Sequence, residues 1–288
     1  MKRKLLLSIL LFVTVPIAAH LILFDLGGVL ITYSKRKIGQ TAGIGQWIRY
    51  LLCDHVNPLS LRSMIFDILH NVRHYIPRKT HLPAIACDDQ GIMLPLIFCE
   101  LQSGIMPAHE LLRDIHSTIT YLTSQNYFIS DDEQRIAMSI IERIFSPKLF
   151  IAHLSPLDAG MRLLAQCAQA TNTDGTPQHT IGICSNFDPE SFEFLINSPI
   201  GQQILQYVPR ELIFISGHYR SHRGLKPNRS AFEAITETTG FPAEEIIFID
   251  DQDENLRAAA ACGMSTIKFS GRRSLKGVRT QLKRMGVI

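Results

Sequence analysis

Paired cysteines are missing from this chain of 288 residues. Cys53, Cys87, Cys99, Cys167, Cys184 and Cys262 are scattered and form no C-x-x-C pair, so their spacing supports neither a zinc knuckle nor a disulfide framework. Cys184, in an apolar run, and Cys262, in a helical stretch, read as small core residues. There is no internal repeat, no low-complexity tract and no long linker, which excludes repeat arrays. Charge of one sign is also missing. A net charge of +3 is too small to argue for nucleic acid, and no nucleic-acid partner is expected. The apolar run Leu5–Val15 falls short of the ~20 residues a membrane span requires.

That run has a context of its own. Met1-Lys2-Arg3-Lys4 precedes it and Pro16-Ile17-Ala18-Ala19 follows, the layout of a secretory signal peptide. Residues 1–19 are therefore expected to be a signal peptide or an N-terminal anchor, and the protein exported or periplasmic. The alternatives are a cytoplasmic or membrane-anchored protein. Any membrane contact is expected through this segment alone. Oligomeric state leaves no mark in the sequence.

What the chain does have is two apolar runs that stop on carboxylates: Leu21-Ile22-Leu23-Phe24-Asp25 and Ile246-Ile247-Phe248-Ile249-Asp250-Asp251. Runs that are apolar at every position suit strands covered on both faces, as in a parallel sheet. Ligands of open parallel sheets bind beyond the carboxyl ends of the strands. If the two runs are neighbours, Asp25, Asp250 and Asp251 converge, and so many like charges call for a cation.

Between Tyr33 and Phe150 the spacing predicts helices, at Gln46–Cys53, Leu61–Tyr75, Leu94–Ser103, Pro107–Thr123 and Asp131–Phe145, the last with Asp131 as cap. The block is too long for a loop and is expected to be a subdomain over 33–150. From Leu157 strands and helices alternate. Strands are expected at Thr180–Cys184, Leu212–Ile215 and Ser265–Phe269. Helices are expected at Ala159–Ala170, at Ser191–Tyr207 with a break at Pro199-Ile200-Gly201, at Pro227–Thr239 with Pro227 in its first turn, and at Glu254–Cys262 closed by Gly263. The fold class this predicts is α/β, a doubly wound, mostly parallel sheet built from 20–32 and 151–288, with an inserted all-helical cap.

Four segments in order carry a resemblance: Phe24-Asp25-Leu26-Gly27-Gly28-Val29-Leu30, Cys184-Ser185-Asn186, Gly224-Leu225-Lys226-Pro227, and Asp250-Asp251 followed by Asn255. Together they resemble the haloacid dehalogenase (HAD) superfamily, most of whose members are magnesium-dependent phosphatases. Glu100-Leu101-Gln102-Ser103-Gly104 is similar to the Glu-x-x-x-Gly of that family's helical cap. The resemblance implies a phosphatase of a small phosphorylated metabolite, with Asp25 as nucleophile forming an aspartyl-phosphate. It implies Mg2+ on Asp25, Asp250 and the Gly27 carbonyl, and Lys226 beside the transferring phosphoryl group. Asp251 would hold a metal-bound water or orient the lysine, while Ser185 and backbone amides around Asn186 and Gly27 would bind phosphate.

One position departs from the pattern. The phosphatase branch places a second Asp, a general acid–base, where this chain has Gly27. Such help is typically worth ~10²–10⁴-fold. Either the leaving group is a good one, or a cap residue such as Glu100, His109 or His116 supplies the proton, or the chain is a phosphate-binding module with poor turnover. A metal-independent dehalogenase is a further alternative, against which the Asp250-Asp251 pair argues.

Weaker signals remain. His70/His74 and His218/His222 have a spacing that suits zinc on a helix, without supporting ligands. The His218–Arg223 stretch, at the mouth of the expected site, is either an attractor of anionic substrate or a solvated loop. In the basic tail, Leu275, Val278, Leu282 and Met285 fall at helical spacing and are expected to pack on the core, with their lysines toward water.

Overall fold

The computed structural model describes residues 19–33, 58–78, 94–218 and 225–288. Residues 1–18 of the expected leader, the helix expected at Gln46–Cys53, Cys53, Cys87 and His222 lie outside the described residues. No helix among the described residues is long and apolar enough to cross a membrane.

Five strands form one parallel sheet: β1 (Leu21–Phe24), β4 (Thr180–Ser185), β5 (Ile213–Ile215), β6 (Ile246–Asp250) and β7 (Ser265–Lys268), in the order β5-β4-β1-β6-β7. β1 lies in the middle, with Phe24 level with both Ile183 and Ile249. Its four residues are fully buried. The unbroken apolar runs now have their reason. Ile22, Phe24, Ile181, Ile183, Ile247 and Ile249 enter one core beneath the sheet. Leu21, Leu23, Ile246 and Phe248, offset by one residue, enter a second core on the other face. The helices Asp158–Ala168 and Leu275–Arg284 supply the first core, the latter through Val278 and Leu282, as its periodicity predicts. Residues of Arg229–Thr239 and Asp253–Ala261 supply the second.

Several element ends differ from expectation. The helix expected from Pro227 begins at Arg229, and Pro227 precedes it through a cis peptide to Lys226. Ser130, not Asp131, caps its helix, because the shorter hydroxyl reaches the Glu133 N–H at 3.2 Å. The break in Ser191–Tyr207 falls at Asn197 and Ser198, and Pro199 opens the second helix, where its missing N–H costs nothing. A short antiparallel pair, β2 (Ile31–Tyr33) with β3 (Leu154–Pro156), carries the chain out of the sheet domain and back. At three residues each, with Pro156 in one, these strands have no alternation to read.

Between them stand the helices Pro58–Tyr75, Leu96–Gln102, Ala108–Ser124 and Asp131–Phe145, around an apolar core of their own that includes Ile68, Val72, Leu111, Ile115 and Ile141. A buried ion cluster ties three of these helices at one end. Arg73 Nε donates to Glu100 at 2.8 and 2.9 Å and its Nη1 to Asp114 at 2.8 Å, while Arg78 donates twice to Asp114 at 2.7 Å. Glu100 is fully buried there, facing Arg73.

Burial pushes the Asp114 carboxyl up, but hydrogen bonds and charges from Arg78 and Arg73 outweigh it and hold the pKa below its ordinary value. A depressed folded-state pKa contributes stability at neutral pH that is lost as pH falls through that lower value. Asp114→Ala removes one of Arg73's two carboxylate partners, Glu100 remaining, together with both bonds to Arg78, and should cost about 2 kcal/mol at pH 7. In urea melts the gap between variant and wild type should narrow as pH drops below about 4.

Candidate active site

Parallel pairing puts every strand's carboxyl end on one edge, and the register decides what meets there. The ladder continues one step past β1, with the Asp25 N–H donating to the Ile249 carbonyl at 2.9 Å. Asp25 and Asp250 are thereby set side by side from opposite ends of the chain. Carboxylate oxygens of Asp25, Asp250 and Asp251 all lie within 4.8 Å of one another. This is the convergence expected from the sequence.

One ammonium sits among them. Lys226 is 2% exposed, and its Nζ lies 2.7 Å from Asp250 Oδ2, 3.0 Å from Asp25 Oδ1 and 3.0 Å from the Cys184 carbonyl. Its backbone is held by Asn186. The side-chain amide of Asn186 accepts from Lys226 N at 2.8 Å and donates to Lys226 O at 2.8 Å, copying a strand-to-strand pair. The Asn186 side chain is therefore spent on placing the lysine, although the residue also borders the cavity. Asp250, rather than Asp251, orients the ammonium.

Asp250 is heavily anchored. Besides Lys226 it accepts from Gln252 N at 2.7 Å and Asn255 Nδ2 at 3.1 Å. Asp25 and Asp251 are held less: Oδ1 of Asp25 has the Lys226 ammonium at 3.0 Å, and Oδ1 of Asp251 is buried without a hydrogen-bond partner. Desolvation raises the Asp25 pKa to about 6; Lys226 and a hydrogen bond from Ser185 oppose the rise and the Asp250 charge adds to it. Desolvation and the charges of Asp25 and Asp250 raise Asp251 to about 7. Both aspartates stabilise Lys226 as the ammonium and raise its pKa against the effect of burial.

Three carboxylates against one ammonium leave two negative charges uncompensated. With three carboxylates each offering an oxygen within 4.8 Å of the others, the donor set fits a hard divalent cation. The turn after β1 makes the room. Gly28 has φ +71°, and a Cβ there would stand 2.0 Å from Asp251 Oδ2. Only glycine lets Asp251 close on Asp25. At Gly27, by contrast, a Cβ would meet nothing within 4 Å.

Above these groups opens a cavity of about 450 Å³, bordered from the sheet side by Asp25, Gly27, Ser185, Lys226 and Asp251. All seven residues singled out from the sequence are in one place, six of them bordering the cavity and Asp250 fully buried beneath. The proposed proton sources in the cap are not there. Glu100 is held in the ion cluster, while His109 and His116 border a separate surface groove with Arg113. His70 and His74 pack against Phe66 and Tyr75, and neither joins a metal-capable cluster among the described residues. Two participants went unassigned in the sequence. Asn255, part of the fourth segment, holds Asp250, and Gln102, inside the Glu-x-x-x-Gly stretch, reaches the cavity from the helical block.

No protein-family model matches the chain. Among solved structures, a HAD family enzyme from Bacteroides thetaiotaomicron, in a mutant form complexed with magnesium and inorganic phosphate, superposes with a TM-score of 0.50 at 17% identity, over 88% of this chain and 96% of that one. A structure described as a HAD-like family hydrolase from Porphyromonas gingivalis gives a TM-score of 0.49 at 17% identity, over 92% and 98%. In sequence, 53 residues are 42% identical to enolase-phosphatase E1 of Aquifex aeolicus. That match spans 18% of this chain and 24% of the relative. At such identities the likeness to solved structures is one of architecture alone: this chain has the fold of a structure described as a HAD family enzyme.

Proposed function

We propose that the chain is a phosphomonoester hydrolase working through Asp25. The observation that supports this most is the cluster itself: a carboxylate bordering a cavity, beside a buried ammonium and two further carboxylates. A structural ion pair needs one carboxylate per lysine, and this site has three.

On this reading an Asp25 oxygen attacks phosphorus, and the bond from phosphorus to the leaving oxygen breaks, its electron pair departing with the leaving group. Water then attacks the phosphorus of the aspartyl-phosphate, releasing inorganic phosphate and restoring Asp25. Lys226 keeps Asp25 ionised and places its positive charge where negative charge builds on the phosphoryl oxygens in the transition state. The Ser185 hydroxyl, at the end of β4 and bordering the cavity, would bind a phosphate oxygen. Magnesium, held by Asp25, Asp250, Asp251 and the Gly27 carbonyl, would neutralise the approach of a dianion to a carboxylate. The uncompensated charge of the cluster argues against the metal-independent dehalogenase.

Gly27 supplies no proton, and no acid from the helical block replaces it among the described cavity residues. The leaving group must then tolerate departure as an anion. A non-turning phosphate binder is the second reading, favoured by this same position.

Hydrolysis of p-nitrophenyl phosphate, whose leaving group needs little protonation, should require magnesium and should fall at least ~10³-fold in Asp25→Asn. A folded, magnesium-binding protein with no turnover would favour the binder. Because a side chain at position 27 has open space, Gly27→Asp should fold normally and raise kcat on alkyl phosphates by ~10²-fold or more, with a smaller gain on p-nitrophenyl phosphate. An equal change on both would show that position 27 is not the missing acid.

A further inference from the structure

The upper wall of the cavity comes from the helical block and its return to the sheet domain: Leu94, Phe98 and Leu101, with Ile144 and Phe150. Among the described residues bordering the cavity, Lys226 is the one cation, and it faces Asp25 and Asp250. A second phosphate or a carboxylate placed against this wall would meet apolar side chains and find no cationic partner among the described residues, at high cost. Sugar hydroxyls directed at this wall would be left in the same position.

A single polar side chain from the block, Gln102, borders the cavity. Its backbone is tied down: Ser216 Oγ donates to the Gln102 carbonyl at 2.6 Å and accepts from the Phe187 N–H at 3.1 Å. Gln102 is thus fixed to the loop that follows Ser185 and Asn186. Its Oε1 is buried without a partner. A buried amide oxygen in this condition calls for a ligand that completes it. A hydroxyl serves whichever way the amide is turned, since it both donates and accepts.

Resting on the phosphomonoester reading above, we infer that the preferred substrate is the phosphate of a compact, neutral, mainly apolar group, such as a single ring, bearing one hydroxyl that pairs with Gln102. The volume suits one ring and a phosphate. Gln102 is then the residue that reads the leaving group, and the five apolar side chains exclude charged and heavily hydroxylated ones.

Binding tests this without depending on turnover. Benzyl phosphate, the hydroxybenzyl phosphate isomers and glucose 6-phosphate are all phosphates of primary alcohols, so leaving-group ability does not enter. In calorimetry with the full-length Asp25→Asn protein and magnesium, benzyl phosphate should bind at least ~10-fold more tightly than glucose 6-phosphate. The best hydroxybenzyl isomer should gain a further ~10-fold. Gln102→Leu, or Gln102→Met as a second variant, should erase the hydroxyl's gain and leave benzyl phosphate within about threefold. Glucose 6-phosphate binding as tightly as benzyl phosphate would overturn the inference, as would equal losses for both aromatic ligands in the Gln102 variants. Selective binding alongside absent wild-type turnover would uphold the pocket and reject the hydrolase. Turnover without selectivity would do the reverse.

Discussion

A lysine with almost no access to water holds this site together. Lys226 shares its ammonium between carboxylates that close strands β1 and β6, and it also donates to the Cys184 carbonyl on β4. Three adjacent strands are pinned at their carboxyl ends by one charge. Burying that charge is costly unless it is paired and hydrogen-bonded on all sides, and Asn186 and Asn255 are the residues that complete the arrangement. The neighbouring turn follows from it. Asp251 has room beside Asp25 only because Gly28 has no side chain.

The pairing also divides the labour among three chemically identical side chains. Asp250, anchored by three donors, serves as the fixed element. Asp25 and Asp251 have fewer such anchors and raised pKa values, near 6 and 7, and they border the cavity where Asp250 lies beneath it. Residue type alone does not separate these roles, whereas the hydrogen-bond partners do.

Much of this was legible in the sequence, for specific reasons. Central strands of a parallel sheet are apolar at every position, so β1 and β6 announced themselves and their terminal carboxylates with them. The order of the four segments pointed to the site because each lies at a strand end or just before a helix, where local patterns are strongest. Partners far apart in sequence were not legible. Nothing local says that Glu100 is consumed by Arg73, or that Gln102, two residues on, borders the cavity instead. Both sit on one short helix, and which of them meets the site depends on how separate helices pack. The same holds for β2 and β3, which pair with each other across the whole helical block.

That pairing has a consequence for how such a protein can change. The chain leaves the sheet domain at Ile31–Tyr33 and comes back at Leu154–Pro156, and the two crossings are hydrogen-bonded neighbours. Everything between them is therefore a side excursion whose two ends meet. Lengthening an excursion of this kind costs little entropy, since closure depends only weakly on length. Its apolar core is also separate from the cores on either side of the sheet. The wall over Asp25 can accordingly be rebuilt, lengthened or exchanged while the strands that hold the carboxylates keep their register. Inheritance of the reaction and inheritance of its selectivity are separable in this molecule, and the two crossing strands are the seam.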